Sequence, residues 1–237
     1  MDNSRRERRG FLVLAAGSLA AAYVRADAGK DKDKEKEKDV GANEDLMREH
    51  GVLRRALLVY RAAAARLRTD PAKVPADALA QTAHLFRTFG EDYHERKLEE
   101  EHIFPAVRRA KGPAASLVDV LLAQHERGRR LTDYVLRTTA QGRIAAGAAL
   151  PLAQALDAFE LMYAHHAARE DTVVFPAWKD ALSGKAYDEM SERFEDIEKR
   201  MFGHDGFDDA VRRIATIEAR FGIDDLARFT MPAPPAA

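Results

Sequence analysis

His94-Glu95-Arg96-Lys97-Leu98-Glu99-Glu100-Glu101-His102-Ile103-Phe104-Pro105 and His166-Ala167-Ala168-Arg169-Glu170-Asp171-Thr172-Val173-Val174-Phe175-Pro176 are two copies of one pattern. Each starts at a histidine, runs through acidic residues and ends in Phe-Pro. The first copy carries one extra residue between its histidine and its Phe-Pro. Both lie near the ends of long stretches whose apolar residues recur every three or four positions, the spacing of a helix face turned toward a core.

Working outward from these copies, four long helical patterns are predicted, over about residues 44–68, 76–110, 114–140 and 151–182. Asn43 offers an N-cap to the first, and Pro151 stands where a first-turn proline belongs in the fourth. Gly112-Pro113, Gly142 and Ser183-Gly184 punctuate the patterns. Short connections favour antiparallel neighbours. The expected fold is all-α: an up-down-up-down antiparallel four-helix bundle over residues 43–182. Two short C-terminal helices, near 187–201 and 207–221, follow within an extension and tail spanning 183–237.

Tracing the inward face of each helix brings chemistry to the interior. The ladders are Leu46, His50, Leu53, Leu57, Tyr60, Ala64 and Leu67 on the first helix, and Leu79, Ala83, Phe86, Gly90 and His94 on the second. The third gives Val118, Leu121, His125, Gly128, Thr132 and Val135. The fourth gives Leu152, Leu156, Phe159, Tyr163, His166, Glu170, Val173 and Ala177. One inward histidine is ordinarily a hydrogen-bonded core residue. Four of them, with a glutamate following on two helices, require something more. A buried ionised carboxylate costs several kcal/mol unless it is paired or binds a metal. Imidazole and carboxylate ligands suit iron, and also zinc, manganese or copper.

Glu99 lies five residues after His94, which in a regular helix turns it well off the ligand face. Either Glu95 supplies the carboxylate, or a one-residue π-bulge brings Glu99 inward, a device common at functional sites. His165 neighbours His166 but is rotated off the stripe. His84, His102 and His204 read as structural, and the phenylalanines as core packing.

Composition narrows the alternatives. The 237 residues include 38 basic and 39 acidic side chains, for a net charge of −1, so no basic face invites nucleic acid. There is no cysteine, which excludes disulfides, thiolate nucleophiles and iron–sulfur clusters. Residues 1–28 combine Arg5-Arg6 and Arg8-Arg9 with an apolar run from Phe11 to Val24 and a small-residue exit. That is the form of a secretory signal peptide, and Arg8-Arg9-Gly10-Phe11-Leu12 resembles the twin-arginine export motif. An exported protein, periplasmic or envelope-associated, is expected, with membrane contact only if this segment stays uncleaved. Lys30 to Asp39 alternates charges without one apolar side chain, so residues 29–42 read as a solvated linker.

At Glu49-His50, the 94–105 segment, Gln124-His125-Glu126 and the 166–176 segment, the chain resembles the hemerythrin family in its wider HHE cation-binding form. The resemblance implies a di-iron centre with an oxo or hydroxo bridge. Its ligands would be His50, His94, Glu99, His125, His166 and Glu170, the two glutamates bridging two iron ions. The implied partners are iron and oxygen or another diatomic ligand, held by a binding protein or, alternatively, used by a di-iron oxidase, peroxidase or ferroxidase. One departure stands out: where oxygen carriers have a second histidine four residues after His125, this chain has Arg129. A ferritin-like pattern needs Glu-x-x-His on two helices, and here both instances, Glu91 to His94 and Glu99 to His102, fall on one.

Overall fold

A computed structural model describes Val40–Pro235; the expected signal segment and all but the last residues of the linker lie outside the described residues. Helix predominates and no strand occurs among the described residues, so the protein is all-α. Helix α1 is Ala42–Thr69. Helix α2 runs unbroken through residues 76–110, as an α-helical start at Ala76–Leu85, a π-helical stretch at Phe86–Ile103 and an α-helical end at Phe104–Ala110. After a 3-10 turn at Pro113–Ser116 comes α3, Val118–Thr139. Helix α4 spans residues 146–180, with its own π-helical stretch at Glu170–Val174. Helices α5, Gly184–Phe202, and α6, Gly206–Phe221, complete the set.

Three expected boundaries shift. Asn43 is not a cap: α1 begins at Ala42 with Gly41 before it, and no side chain caps it. Helix α3 begins four residues later than expected, because Pro113 starts a 3-10 turn first. Helix α4 begins at Ala146, leaving Pro151 inside it. A proline there forfeits only one hydrogen bond near the start of the helix, and the alanine-rich lead-in favours helix enough to absorb that loss.

Helix α1 packs against α4 and α2, and α3 packs against α2 and α4. Ion pairs along α1 and α4 run in opposite order: Arg54 with Asp171, Arg61 with Glu160, and Arg68 with Asp157. The interior below the histidines is aromatic, with Tyr60 stacked on Phe86 at 5.3 Å and Phe159 edge-on to Phe86. Two glycines let neighbours come close. A Cβ at Gly90 would meet Leu53 at 3.1 Å, and one at Gly128 would meet Phe159 at 3.3 Å.

Helix α1 buries more than the single stripe that its ladder marks. Val52, Ala56, Val59 and Ala63 are also buried, because α5 and α6 both pack on α1 as well as on α2. Helix α6 inserts Ile214, Ile217 and Phe221, and Glu218 takes a two-point grip from Arg55, at 2.9 and 2.5 Å. Helix α5 lays Phe194 flat on the buried Trp178 of α4, with centroids 5.5 Å apart and planes 6° from parallel. No helix among the described residues is long and apolar enough to cross a membrane.

The Arg55–Glu218 pair is the main polar tie of α6. Arg55→Met leaves Glu218 without its partner and is expected to cost about 1–3 kcal/mol, read as a lowered urea midpoint. Because α6 stands apart from the histidines, metal content measured on the same sample is expected to stay unchanged.

Candidate metal centre

The two Phe-Pro motifs account for the wide turn that precedes each proline. A proline ring collides with the carbonyl four residues back and has no N–H to offer it. Widening the preceding turn relieves both problems. At Pro105 the backbone does this: the Phe104 N–H donates to the Glu99 carbonyl, five residues earlier. At Pro176 the Phe175 N–H donates to the Glu170 carbonyl in the same way. The stretch on α2 is far longer than a single bulge. Its buried residues Phe86, Gly90, His94, Glu99 and Ile103 recur every four to five positions, the spacing such a helix keeps on one face. The second stretch corrects the α4 ladder beyond Glu170. Val173 is 36% exposed and Val174 is fully buried, because the wider turn advances the face by one residue.

His50, His94, His125, His166, Glu99 and Glu170 all sit in the interior and are almost wholly buried. The histidines form two pairs. His50 and His94 bring their Nε2 atoms to 3.0 Å, and His125 and His166 to 3.2 Å. Each glutamate spans both pairs. Glu99 places Oε1 3.5 Å from His94 and Oε2 3.3 Å from His125. Glu170 places Oε2 3.5 Å from His50 and 3.0 Å from His166. Neither oxygen of Glu99 or Glu170 has a hydrogen-bond partner.

Behind the rings lies a second layer. Each Nδ1 donates outward: His50 to Asp171 at 2.6 Å, His94 to Glu49 at 2.5 Å, His125 to Glu100 at 2.9 Å and His166 to Gln124 at 2.9 Å. Such a bond fixes the tautomer, leaving a lone pair on Nε2. Two lone pairs facing each other across 3 Å repel, and four carboxylate oxygens beside them lack donors. A cation answers both demands. The donor atoms of Glu99, His125, His166 and Glu170 lie within 4.8 Å of one another, as do those of His50, His94 and Glu99.

Comparison with known proteins agrees with this chemistry. The hemerythrin HHE cation binding domain matches residues 41–178, more than half the chain. This chain belongs to the hemerythrin HHE family.

The HHE protein is 48% identical over 192 residues to an uncharacterized protein of Mycobacterium bovis, covering 81% of this chain and 74% of the relative. Uncharacterized proteins from two strains of Mycobacterium tuberculosis match to the same extent. No solved structure matches significantly.

In this HHE domain Glu95 lies on the outer side of His125, whereas Glu99 lies among the inner nitrogens. The Glu95 carboxylate faces Arg129 at 3.2 Å and stands 4.0 Å from the outer nitrogen of His125. Arg129 turns to Glu95 and Glu100, pairing with Glu100 at 2.5 Å, and so steadies the acceptor behind His125. His165 is exposed and bonded to Arg169. His84 and His204 are exposed, and His102 leans on Phe194.

Sequence reasoning passed over the outer layer as a set, although a signal for it was present. Each outer acceptor is the chain neighbour of an inner residue: Glu49 beside His50, Glu100 beside Glu99, Gln124 beside His125 and Asp171 beside Glu170. One step around a helix turns a side chain by about 100°, toward the next helix. Each therefore serves the histidine of the following helix, α1 to α2, α2 to α3, α3 to α4 and α4 back to α1.

Without a cation the cluster has to share protons. Burial works against charge on Glu99, but the His94 and His125 rings outweigh it and hold the carboxyl well below its usual range. Burial and the Glu99 charge push Glu170 well up, and burial with the neighbouring His125 pushes His166 down to about 3.

Farther along α2, burial raises the Glu91 carboxyl to about 7, with the Glu95 charge adding to it; Thr132 and the Arg87 and Arg129 guanidiniums act the other way. The folded protein thus binds more protons here than the unfolded chain between the ordinary carboxyl value and about 7, and Glu91 lowers stability as pH rises through that window. Glu91→Gln is expected to stabilise the metal-free protein by about 1–3 kcal/mol near pH 8. Near pH 4 the two proteins are expected to differ little; urea melts at the two pH values check this.

Proposed function

We propose that this protein holds a non-haem di-iron centre that binds or senses oxygen, nitric oxide or iron itself in the cell envelope. The observation that carries the reading is the placement of Glu99 and Glu170. Each carboxylate reaches histidines of both pairs, and each has two buried oxygens without a donor. Two ions, one at each histidine pair, would give every one of those atoms a partner. In this reading the ligands are His50, His94, Glu99, His125, His166 and Glu170, with the two glutamates bridging. The opposite order of ion pairs along α1 and α4 supports an antiparallel bundle around them. Iron bound there would supply coordination of a small diatomic ligand. The protein's own residues do the rest: three outer carboxylates and the Gln124 amide orient the rings, and the aromatic layer excludes bulk water. Export rests on the character of residues 1–28 and would place the centre outside the cytoplasm.

One observation favours a second reading, an oxidase, peroxidase or ferroxidase built on the same centre. Arg129 points to carboxylates, so four imidazoles serve two ions, and such a donor set leaves room for an open position.

Elemental analysis of iron-loaded protein, with its visible spectrum, tests the reading. Two irons per chain and a charge-transfer band are expected. His166→Ala is expected to abolish stoichiometric iron and His165→Ala to leave it intact; a colourless, iron-free wild type would sink the proposal. Mixing the ferrous protein with oxygen or peroxide separates the two readings, since repeated turnover belongs only to the enzyme.

A further inference from the structure

The ring of outer acceptors has one weak member. Asp171, Glu49 and Glu100 are carboxylates, and each is itself held, by Arg54, by the Tyr93 hydroxyl at 2.9 Å and by Arg129. Gln124 is a neutral amide, and no further hydrogen bond holds it among the described residues. A carboxylate behind an imidazole strengthens both the hold on the ring and the basicity of its inner nitrogen; an amide does less of each. His166 is therefore the least firmly backed of the four rings.

It is also the one beside an opening. A cleft of about 210 Å³ between α3 and α4 is lined by Val120, Leu121, Gln124, His165 and Arg169, with His166 at its floor. Val120, on the rim, is 55% exposed. Aromatic rings pack against the other three. Phe175 stacks on His50 at 5.5 Å and lies edge-on to His94 at 6.4 Å, Phe104 stacks on His125 at 5.5 Å, and Glu100 with Arg129 closes the outer side of His125.

The geometry points to unequal exchange at the two metal positions: the ion between His125 and His166 enters and leaves through the α3–α4 cleft when the Gln124–His166 bond opens, while the ion between His50 and His94 is retained. This rests on the di-iron reading. The positive Arg169 at the rim makes a carboxylate-bearing chelator the apt counterpart for drawing the ion out.

The experiment loads the full protein with ferrous iron, confirms two ions per chain, and follows iron loss to excess EDTA. One ion is expected to leave at least about tenfold faster than the other. Gln124→Glu puts a carboxylate behind His166 and is expected to slow the fast phase about tenfold or more, leaving the slow phase alone. Val120→Trp, at an exposed rim position, narrows the mouth and is expected to slow the same phase without changing stoichiometry. Loss of both ions at one rate overturns the inference, as does a fast phase that neither variant alters. Failure of the wild type to load two ions overturns the di-iron reading instead.

Discussion

Inside an apolar interior, four imidazole lone pairs and two carboxylates face one another at distances of 3 to 4 Å, and only positive charge among them makes the arrangement tolerable. Much of the rest of the fold follows from meeting that constraint. The α2 backbone abandons regular helix geometry around Glu99, which thereby turns inward, and the α4 backbone does so just past Glu170. Glycines 90 and 128 draw side chains of the facing helices in close below the rings. Helices α5 and α6 wrap the outer side of α1 and α2, which is why α1 is buried on two faces.

The outer layer joins the helices in a closed circuit. Each helix presents an inner residue and, one position away, the support for its neighbour's histidine. Rotating or sliding any one helix disturbs its own histidine and the ring it backs. Positional precision at the centre thus comes from pairwise contacts between adjacent helices, each of them short and partly or wholly shielded from water. Arg129 fits the same logic. It steadies Glu100, and through Glu100 it steadies His125.

Much of this was legible in the residues before any coordinates. The ladders on the first three helices name buried side chains throughout, since Leu46 to Leu67, Leu79 to His94 and Val118 to Val135 follow helical spacing. The extra residue before Phe104 announced that α2 departs from a regular helix, though not that the departure lasts from Phe86 to Ile103. On α4 no residue count disclosed the wider turn, so the ladder failed at Val173. Proline chemistry held the missing information, because Pro176 repeats the situation of Pro105. The outer acceptors escaped notice for another reason: periodicity reports which face a residue occupies, and an acid one step off the stripe looks the same whether it meets water or a neighbouring ring. Asn43 misled because capping preference is local, and the start of α1 is held from a distance by Ser191 and Tyr187.

The stacking of Phe194 on Trp178 has a practical side. Trp178 is the chain's one tryptophan and is almost completely buried, on the same helix as Glu170 and eight residues beyond it. Its indole emission comes from a single place, where α5 covers the end of α4. Any loosening of that lid exposes the ring to water and reddens its fluorescence, so an unlabelled sample carries its own optical gauge of how tightly the C-terminal helices are closed.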